Sequence, residues 1–293
     1  MTDLSGSLPA LVTPFKNGAV DEDAYQRLVE RQIAAGSSAV CPAGTTGESA
    51  TLSHAEHRRV IELAVEAAAG RVPVVAGVGS NSTAEALGLA KFAEEAGADA
   101  MLCVCGYYNK PPQAGLIKHF TALHDASRLP IVLYNVPGRT VVSLSVETIG
   151  VLSKLPRIIG IKDATGDLAR VALQRLASGP DFIQLSGEDM TAVGFNAMGG
   201  RGCIGVTANI APALCAKMQK ASLAGDFDAA LAIQDRLAPL HDVLFIETNP
   251  GPVKYAMSAL GLCSAEVRSP LCEPGETTRR RVEAVLEGLE GVL

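Results

Sequence analysis

Eight short apolar runs, set apart by segments of helical period, limit the fold of this chain more than any other feature. They fall near residues 6–12, 38–42, 72–78, 100–105, 130–136, 158–162, 182–186 and 202–206. Each is short and rich in Val, Ile, Leu or Ala, as suits a strand buried on both faces. Helical patterns lie between them, over 21–35, 53–69, 83–96, 113–127, 144–155, 168–177 and 191–198. A crossover helix returns the chain to the same end of a sheet, so strands alternating with helices pair in parallel. Eight such units within roughly 225 residues fit a closed (β/α)8 TIM barrel better than an open sheet. Four more helical segments follow, over 211–224, 226–240, 252–260 and 277–289, with no further strand. The expected organisation is an α/β chain: a barrel over 1–224, then a C-terminal helical domain over 225–293. No Ser/Gly/Pro-rich linker divides the two, so they are expected to pack together.

Composition narrows the function. With 293 residues the chain can bury a large core, and 48% apolar residues with 29 glycines and no Trp suit βα units packed through small side chains. A net charge of −6 argues against a nucleic-acid or anionic-membrane surface and leaves a small metabolite as the natural partner. Seven cysteines, an odd number without any C-x-x-C, give neither a disulfide framework nor a metal-ligand pattern. Cys103 and Cys105 share one strand face but lack a second ligand pair, so no metal is expected. The first residues have no basic-plus-apolar signal region, and no apolar run is long enough to span a bilayer. The expected setting is a reducing cytoplasm.

In such a barrel the reacting groups come from the carboxyl ends of the strands. The sixth run, Ile158-Ile159-Gly160-Ile161, leads into Lys162 and then the turn Asp163-Ala164-Thr165-Gly166-Asp167. Desolvation lowers the pKa of an ammonium, and a neutral amine can attack a ketone to form a Schiff base. The residues alone leave two further readings open, a structural pair with Asp163 and a phosphate contact. The second run ends in Gly44-Thr45-Thr46-Gly47-Glu48-Ser49, whose two hydroxyls between glycines suit a bound carboxylate or an ordinary turn. The fourth ends in Tyr107-Tyr108-Asn109-Lys110-Pro111, either proton-relay groups or an aromatic interface. The fifth carries Tyr134 and then a turn at Pro137-Gly138 that presents Arg139. That guanidinium could clamp a carboxylate or sit in a surface ion pair. Gly187 and Ile204 close the ends of the seventh and eighth runs, leaving room for a ligand beside the backbone.

These blocks, with Asn249-Pro250-Gly251-Pro252-Val253-Lys254 near the end, occur in one order along essentially the whole chain. Together they strongly resemble the dihydrodipicolinate synthase branch of the pyruvate-dependent class I aldolases. The resemblance implies that Lys162 forms an imine with pyruvate and that Tyr134 moves protons, linked through Thr45 to Tyr108 from an adjacent subunit. It implies that Thr46, Gly187 and the Ile204 backbone surround the pyruvate, and that Arg139 receives the carboxylate of L-aspartate 4-semialdehyde. The implied product is 4-hydroxy-tetrahydrodipicolinate, on the diaminopimelate route to L-lysine, made without metal or cofactor by a homotetramer built as a dimer of dimers. Sibling aldolases acting on sugar acids or other aldehydes are the alternative, and a non-catalytic metabolite sensor a remote one. Val104-Cys105-Gly106 departs from the Val-Thr-Pro expected before the tyrosine pair, but removes no implied catalytic group.

Ser53-His54-Ala55-Glu56 reads as a capping box, with His54 and His57 three residues apart on one helix face. As residues they are two solvated histidines. The resemblance instead places Ser49, Ala50, His54, His57, Asn81, Glu85 and Tyr107 around an inhibitory L-lysine at a subunit interface.

Overall fold

The computed structural model describes residues 4–291. In chain order the strands are β1 (Gly6–Pro9), β2 (Phe15–Lys16), β3 (Ala19–Val20), β4 (Val75–Gly77), β5 (Ala100–Val104), β6 (Ile131–Asn135), β7 (Ile158–Asp163), β8 (Ile183–Ser186) and β9 (Gly202–Gly205). The helices are α1 (Glu22–Ala34), α2 (His54–Ala68), α3 (Thr83–Glu95), α4 (Gln113–Ala126), α5 (Pro137–Thr140), α6 (Val146–Leu152), α7 (Ala169–Ser178), α8 (Ala192–Ala197), α9 (Pro212–Leu223), α10 (Phe227–Val243), α11 (Gly251–Ala259) and α12 (Glu276–Glu287).

Seven strands form one parallel sheet in the order β1-β9-β8-β7-β6-β5-β4. The two edges meet across residues 40 and 41, through parallel bridges Ala10↔Cys41 and Val40↔Val74. The α/β barrel thus closes, but the expected second strand is reduced to bridged chain. Three prolines explain this. Pro9, Pro42 and Pro73 stand at the junction of the three neighbouring segments, and none has an N–H to extend the ladder. A β2–β3 hairpin absent from the expectation turns at Asn17-Gly18, both in the left-handed region.

Side chains divide between two layers as the pleat requires. Leu8, Cys41, Leu102, Val132, Tyr134, Leu185 and Ile204 fill the barrel interior. Met101, Cys103, Ile131, Leu133 and Ile161 face the helices, where they meet Leu116, Phe120 and Leu123 of α4. Burial of each such large side chain is worth about 1.5–3 kcal/mol. The C-terminal helices share an apolar core with the barrel: Val12, Leu28 and Val206 pack with Leu237, Val253, Met257 and Val282. Asp21, Ser53 and Asp226 cap their helices through side-chain oxygens, and Ser53 with Glu56 makes the full reciprocal box that the sequence predicts. No helix among the described residues is long and apolar enough to cross a membrane.

One irregularity decides where the chemistry sits. Ile131 pairs with Ile158, but Val132 pairs with Gly160, so β7 carries one extra residue, Ile159. A shift of one residue turns every later side chain to the other face. Without it Lys162 would stand opposite Asn135, whose Oδ1 accepts from Leu144 N on the helix side. With it Lys162 stands opposite Tyr134 in the interior.

Candidate active site

The ammonium of Lys162 lies 4.3 Å from the centre of the Tyr134 ring, and both residues are buried. Gly187 supports it from β8: a Cβ there would come within 3.0 Å of Lys162 Cε. Asp163 is spoken for elsewhere. Its carboxylate faces the helices, accepting from Arg170 Nε at 3.0 Å, Gln174 Nε2 at 2.5 Å and Thr165 N at 2.9 Å. The structural pair left open by the sequence is therefore excluded, and no carboxylate among the described residues forms an ion pair with Lys162. Glu188, just past β8, is the acidic group that senses it. Burial pushes the Glu188 carboxyl upward, opposed mainly by the Met190 N–H and least by the positive charge of Lys162.

Two thiols share this interior. Burial raises Cys41 to about 12 and raises Cys203 well above its ordinary value, both against the pull of Lys162. They stay protonated and act as small apolar side chains rather than nucleophiles. Among the described residues no group of three or more His, Cys, Asp or Glu side chains could hold a metal ion.

The mouth is built from loops under backbone strain. Ala43, Glu48, Tyr108, Lys110 and Val141 all adopt positive φ without being glycine, a cost tolerated where loop geometry serves a site. Thr46 is buried, and its Oγ1 accepts from Asn249 Nδ2 at 3.0 Å. Arg139 is exposed and donates from Nη2 to the Asn249 carbonyl at 3.2 Å. It sits on α5 rather than on the simple turn expected, because Pro137 fills the first helical position well. Ile204 is buried on β9 with its side chain in the interior cluster.

Tyr108 behaves differently from the rest. The residue is 90% exposed, and its backbone is left-handed. Within one chain it does not join Lys162 and Tyr134.

A cavity of about 600 Å³ runs from Thr45 and Arg139 at the mouth to Ser49, His54, Glu85 and Tyr107 beside it. Lys162 and Tyr134 are not part of its lining and lie deeper in the barrel. Here the two histidines part company. His54 stays exposed, its Nε2 3.5 Å from Glu85 Oε1. His57 is buried against Gly77, whose carbonyl takes a 2.7 Å hydrogen bond from Nε2, and burial lowers its pKa. Glu85 also accepts from the Ser80 hydroxyl. Asn81 holds the tyrosine loop through its carbonyl, which accepts from Asn109 Nδ2 at 2.9 Å. Ala50 is an exposed part of the cavity wall.

Behind the mouth lies a buried ion pair that the sequence reading did not single out. Lys254 Nζ donates to Glu48 Oε1 at 2.7 Å and to the Thr13 carbonyl at 2.9 Å, 4.1 Å above the Phe15 ring. Both charged side chains are fully buried. Arg268 completes the knot, with its backbone N–H on Glu48 Oε2 and its guanidinium on Glu56. Burial lowers the Lys254 pKa while Glu48 opposes the shift.

A closed parallel barrel with an interior lysine facing a tyrosine at its sixth-strand end is the framework of a barrel lyase. The chain matches the model of the dihydrodipicolinate synthetase family over residues 3–289 and belongs to that family. It is 61% identical over 282 residues to the 4-hydroxy-tetrahydrodipicolinate synthase of Ruegeria pomeroyi, covering 96% of this chain and 97% of the relative. The pyruvate complex of the chloride-inhibited dihydrodipicolinate synthase from Acinetobacter baumannii superposes with a TM-score of 0.97 at 42% identity, over 99% of this chain and 100% of that one. The enzyme from Cyanidioschyzon merolae with lysine bound gives 0.95 at 36% identity, over 99% of each chain.

Proposed function

We propose that this enzyme condenses pyruvate with L-aspartate 4-semialdehyde to give 4-hydroxy-tetrahydrodipicolinate, on the diaminopimelate route to L-lysine. The observation that carries the reading is Lys162: buried, without a carboxylate partner among the described residues and facing Tyr134. Its amine attacks the pyruvate ketone, and loss of water leaves an imine. The imine is an electron sink, so the pyruvate methyl gives up a proton and becomes an enamine carbon that attacks the aldehyde. Tyr134 shuttles the protons, through Thr45 to Tyr108. The substrate's own amine then attacks the imine carbon, closes the ring and releases Lys162. No metal or cofactor takes part in this route.

Thr46, Gly187 and the Ile204 backbone hold the pyruvate, and Arg139 takes the carboxylate of the semialdehyde as a two-point contact. The exposure of Tyr108 supports its delivery to the site of an adjacent subunit, in a homotetramer built as a dimer of dimers. The barrel is taken to occupy residues 1–224 and the C-terminal helical domain 225–293, within a cytoplasmic enzyme. The cavity beside the mouth binds L-lysine as a feedback inhibitor, through Ser49, Ala50, His54, His57, Asn81, Glu85 and Tyr107.

The test is turnover of pyruvate with L-aspartate 4-semialdehyde, coupled to the next reductase, together with borohydride trapping. Turnover and a pyruvate adduct on Lys162 are expected. Trapping without turnover would assign a different aldehyde, and no trapping would end the Schiff-base reading.

A further inference from the structure

Asn249 touches two groups at the mouth, and the chain delivers it from the C-terminal helices, more than a hundred residues from either. The residue is 4% exposed and its amide nitrogen donates to Thr46 Oγ1 at 3.0 Å. Its backbone carbonyl accepts from Arg139 Nη2 at 3.2 Å. The residue itself has little freedom. One turn further on, Lys254 ties α11 to Thr13 and Glu48, so the turn carrying Thr46 is pinned to the C-terminal helices at two points.

The direction of the Thr46 contact matters. An amide nitrogen has donors and no acceptor, whereas a hydroxyl has one donor and two lone pairs. When Asn249 donates, it occupies a lone pair of Thr46 Oγ1 and leaves the hydroxyl proton free to point elsewhere. Asn249 Oδ1, the group that could compete for that proton, is buried without a hydrogen-bond partner among the described residues and does not reach it. A carboxylate ligand beside Thr46 would find a hydroxyl already set to donate.

We infer that Asn249 is a positioning residue that fixes Thr46 as a hydrogen-bond donor to the carboxylate of the keto acid, while its carbonyl steadies Arg139 for the second substrate. This rests on the proposed role of Thr46 in holding pyruvate. It gives the C-terminal helices a part in substrate alignment besides their part in the core.

The experiment is a double-mutant cycle on the full-length enzyme, with KM and kcat measured for each substrate. Asn249→Asp is nearly isosteric but can only accept, so it turns the Thr46 proton away from the ligand. A rise in pyruvate KM of roughly ten-fold or more is expected, with a smaller change in kcat. The KM for the semialdehyde should move less, because every side-chain variant keeps the backbone carbonyl. In a Thr46→Val background Asn249→Asp should add nothing to the pyruvate KM. Should Asn249→Asp melt too low to assay, Asn249→Ala in the same cycle reads the same coupling. Effects of the two substitutions that multiply, or a pyruvate KM that Thr46→Val raises and Asn249→Asp leaves unchanged, would overturn the inference and leave the role of Thr46 standing. An unchanged pyruvate KM in Thr46→Val would overturn both.

Discussion

Tyr134 and Lys162 are partners across two parallel strands, in register only because β7 carries one residue more than β6 up to that point. Gly160 makes that arrangement possible. A Cβ at 160 would come within 2.4 Å of the Ile183 carbonyl oxygen on β8. Gly160→Ala therefore forces either the bulge or β8 to move. A loss of about 1–3 kcal/mol in stability is expected for overpacking of this kind, and with it a large drop in borohydride-trapped pyruvate. Thermal melting and mass spectrometry of the trapped adduct check both. Wild-type trapping in a folded Gly160→Ala enzyme would mean that the bulge does not set the position of Lys162.

The Glu48–Lys254 pair predicts an asymmetry between single and double substitutions. Removing one partner leaves a buried charge uncompensated, which costs about 3–5 kcal/mol. Lys254→Met should therefore melt far below the wild type, and activity should fall as the Thr45–Thr46 turn loosens. Lys254→Met combined with Glu48→Gln should recover a substantial part of the lost stability, since replacing a whole buried pair is often close to neutral. Denaturant titration of the wild type and the two variants decides the matter. A double variant as unstable as Lys254→Met alone would show that packing, not charge, dominates.

Much of the framework was legible in the sequence because it follows from period and punctuation. Helices α1 to α4 end within a residue or two of the expected limits, since Asp21, Ser53 and the apolar stripes mark them. The second strand was overread because its apolar content says nothing about the three prolines that meet across it. The Asn17-Gly18 hairpin carried a signal that could have been used, two short runs around a two-residue turn. The bulge at Ile159 and the Asn249–Thr46 contact had none. Both depend on which strand or loop lies alongside, a relation between distant segments that no local pattern encodes. The sequence groups the mouth residues only by their place after each strand; the fold is what turns Tyr108 outward and separates exposed His54 from buried His57.

Acidification should weaken the folded state early. Burial lowers the pKa of His57, His119 and His241 below the ordinary histidine value of about 6.5. Between the lowered folded value and the unfolded one, the unfolded chain binds more protons, so stability falls as pH falls. The contribution is complete above the unfolded value and disappears through the folded one. Glu56, held at about 2 chiefly by its hydrogen bond to Arg268, is still ionised in that window and does not explain the loss. Melting temperature should decline from just below neutrality, and His57→Gln should flatten the decline. A flat profile down to the carboxylate range would contradict the lowered histidine values.

Glu85 offers a direct test of regulation. It faces His54 and the Ser80 hydroxyl on the cavity wall, where it can receive an ammonium group. Glu85→Thr removes that charge, so the L-lysine concentration giving half inhibition should rise at least ten-fold, on the order of a lost charged hydrogen bond. The comparison is the ratio of inhibited to uninhibited rate in each enzyme. An unaltered ratio would place the lysine elsewhere, or nowhere.

Tyr108 can be tested by mixing. If its hydroxyl serves the neighbouring subunit, Tyr108→Phe and Lys162→Ala each disable every site of their own homo-oligomer, for different reasons. The first should still trap pyruvate, and the second should not. When the two are unfolded together and refolded, hybrid interfaces pair an intact Lys162 of one chain with an intact Tyr108 of the other. Activity should reappear in the mixture and be absent from either enzyme refolded alone. A relay that ran within one chain would give no such recovery, because no chain in the mixture carries both groups. The 90% exposure of Tyr108 in the single chain favours the first outcome. The borohydride readout on Tyr108→Phe separates a lost proton path from a lost imine.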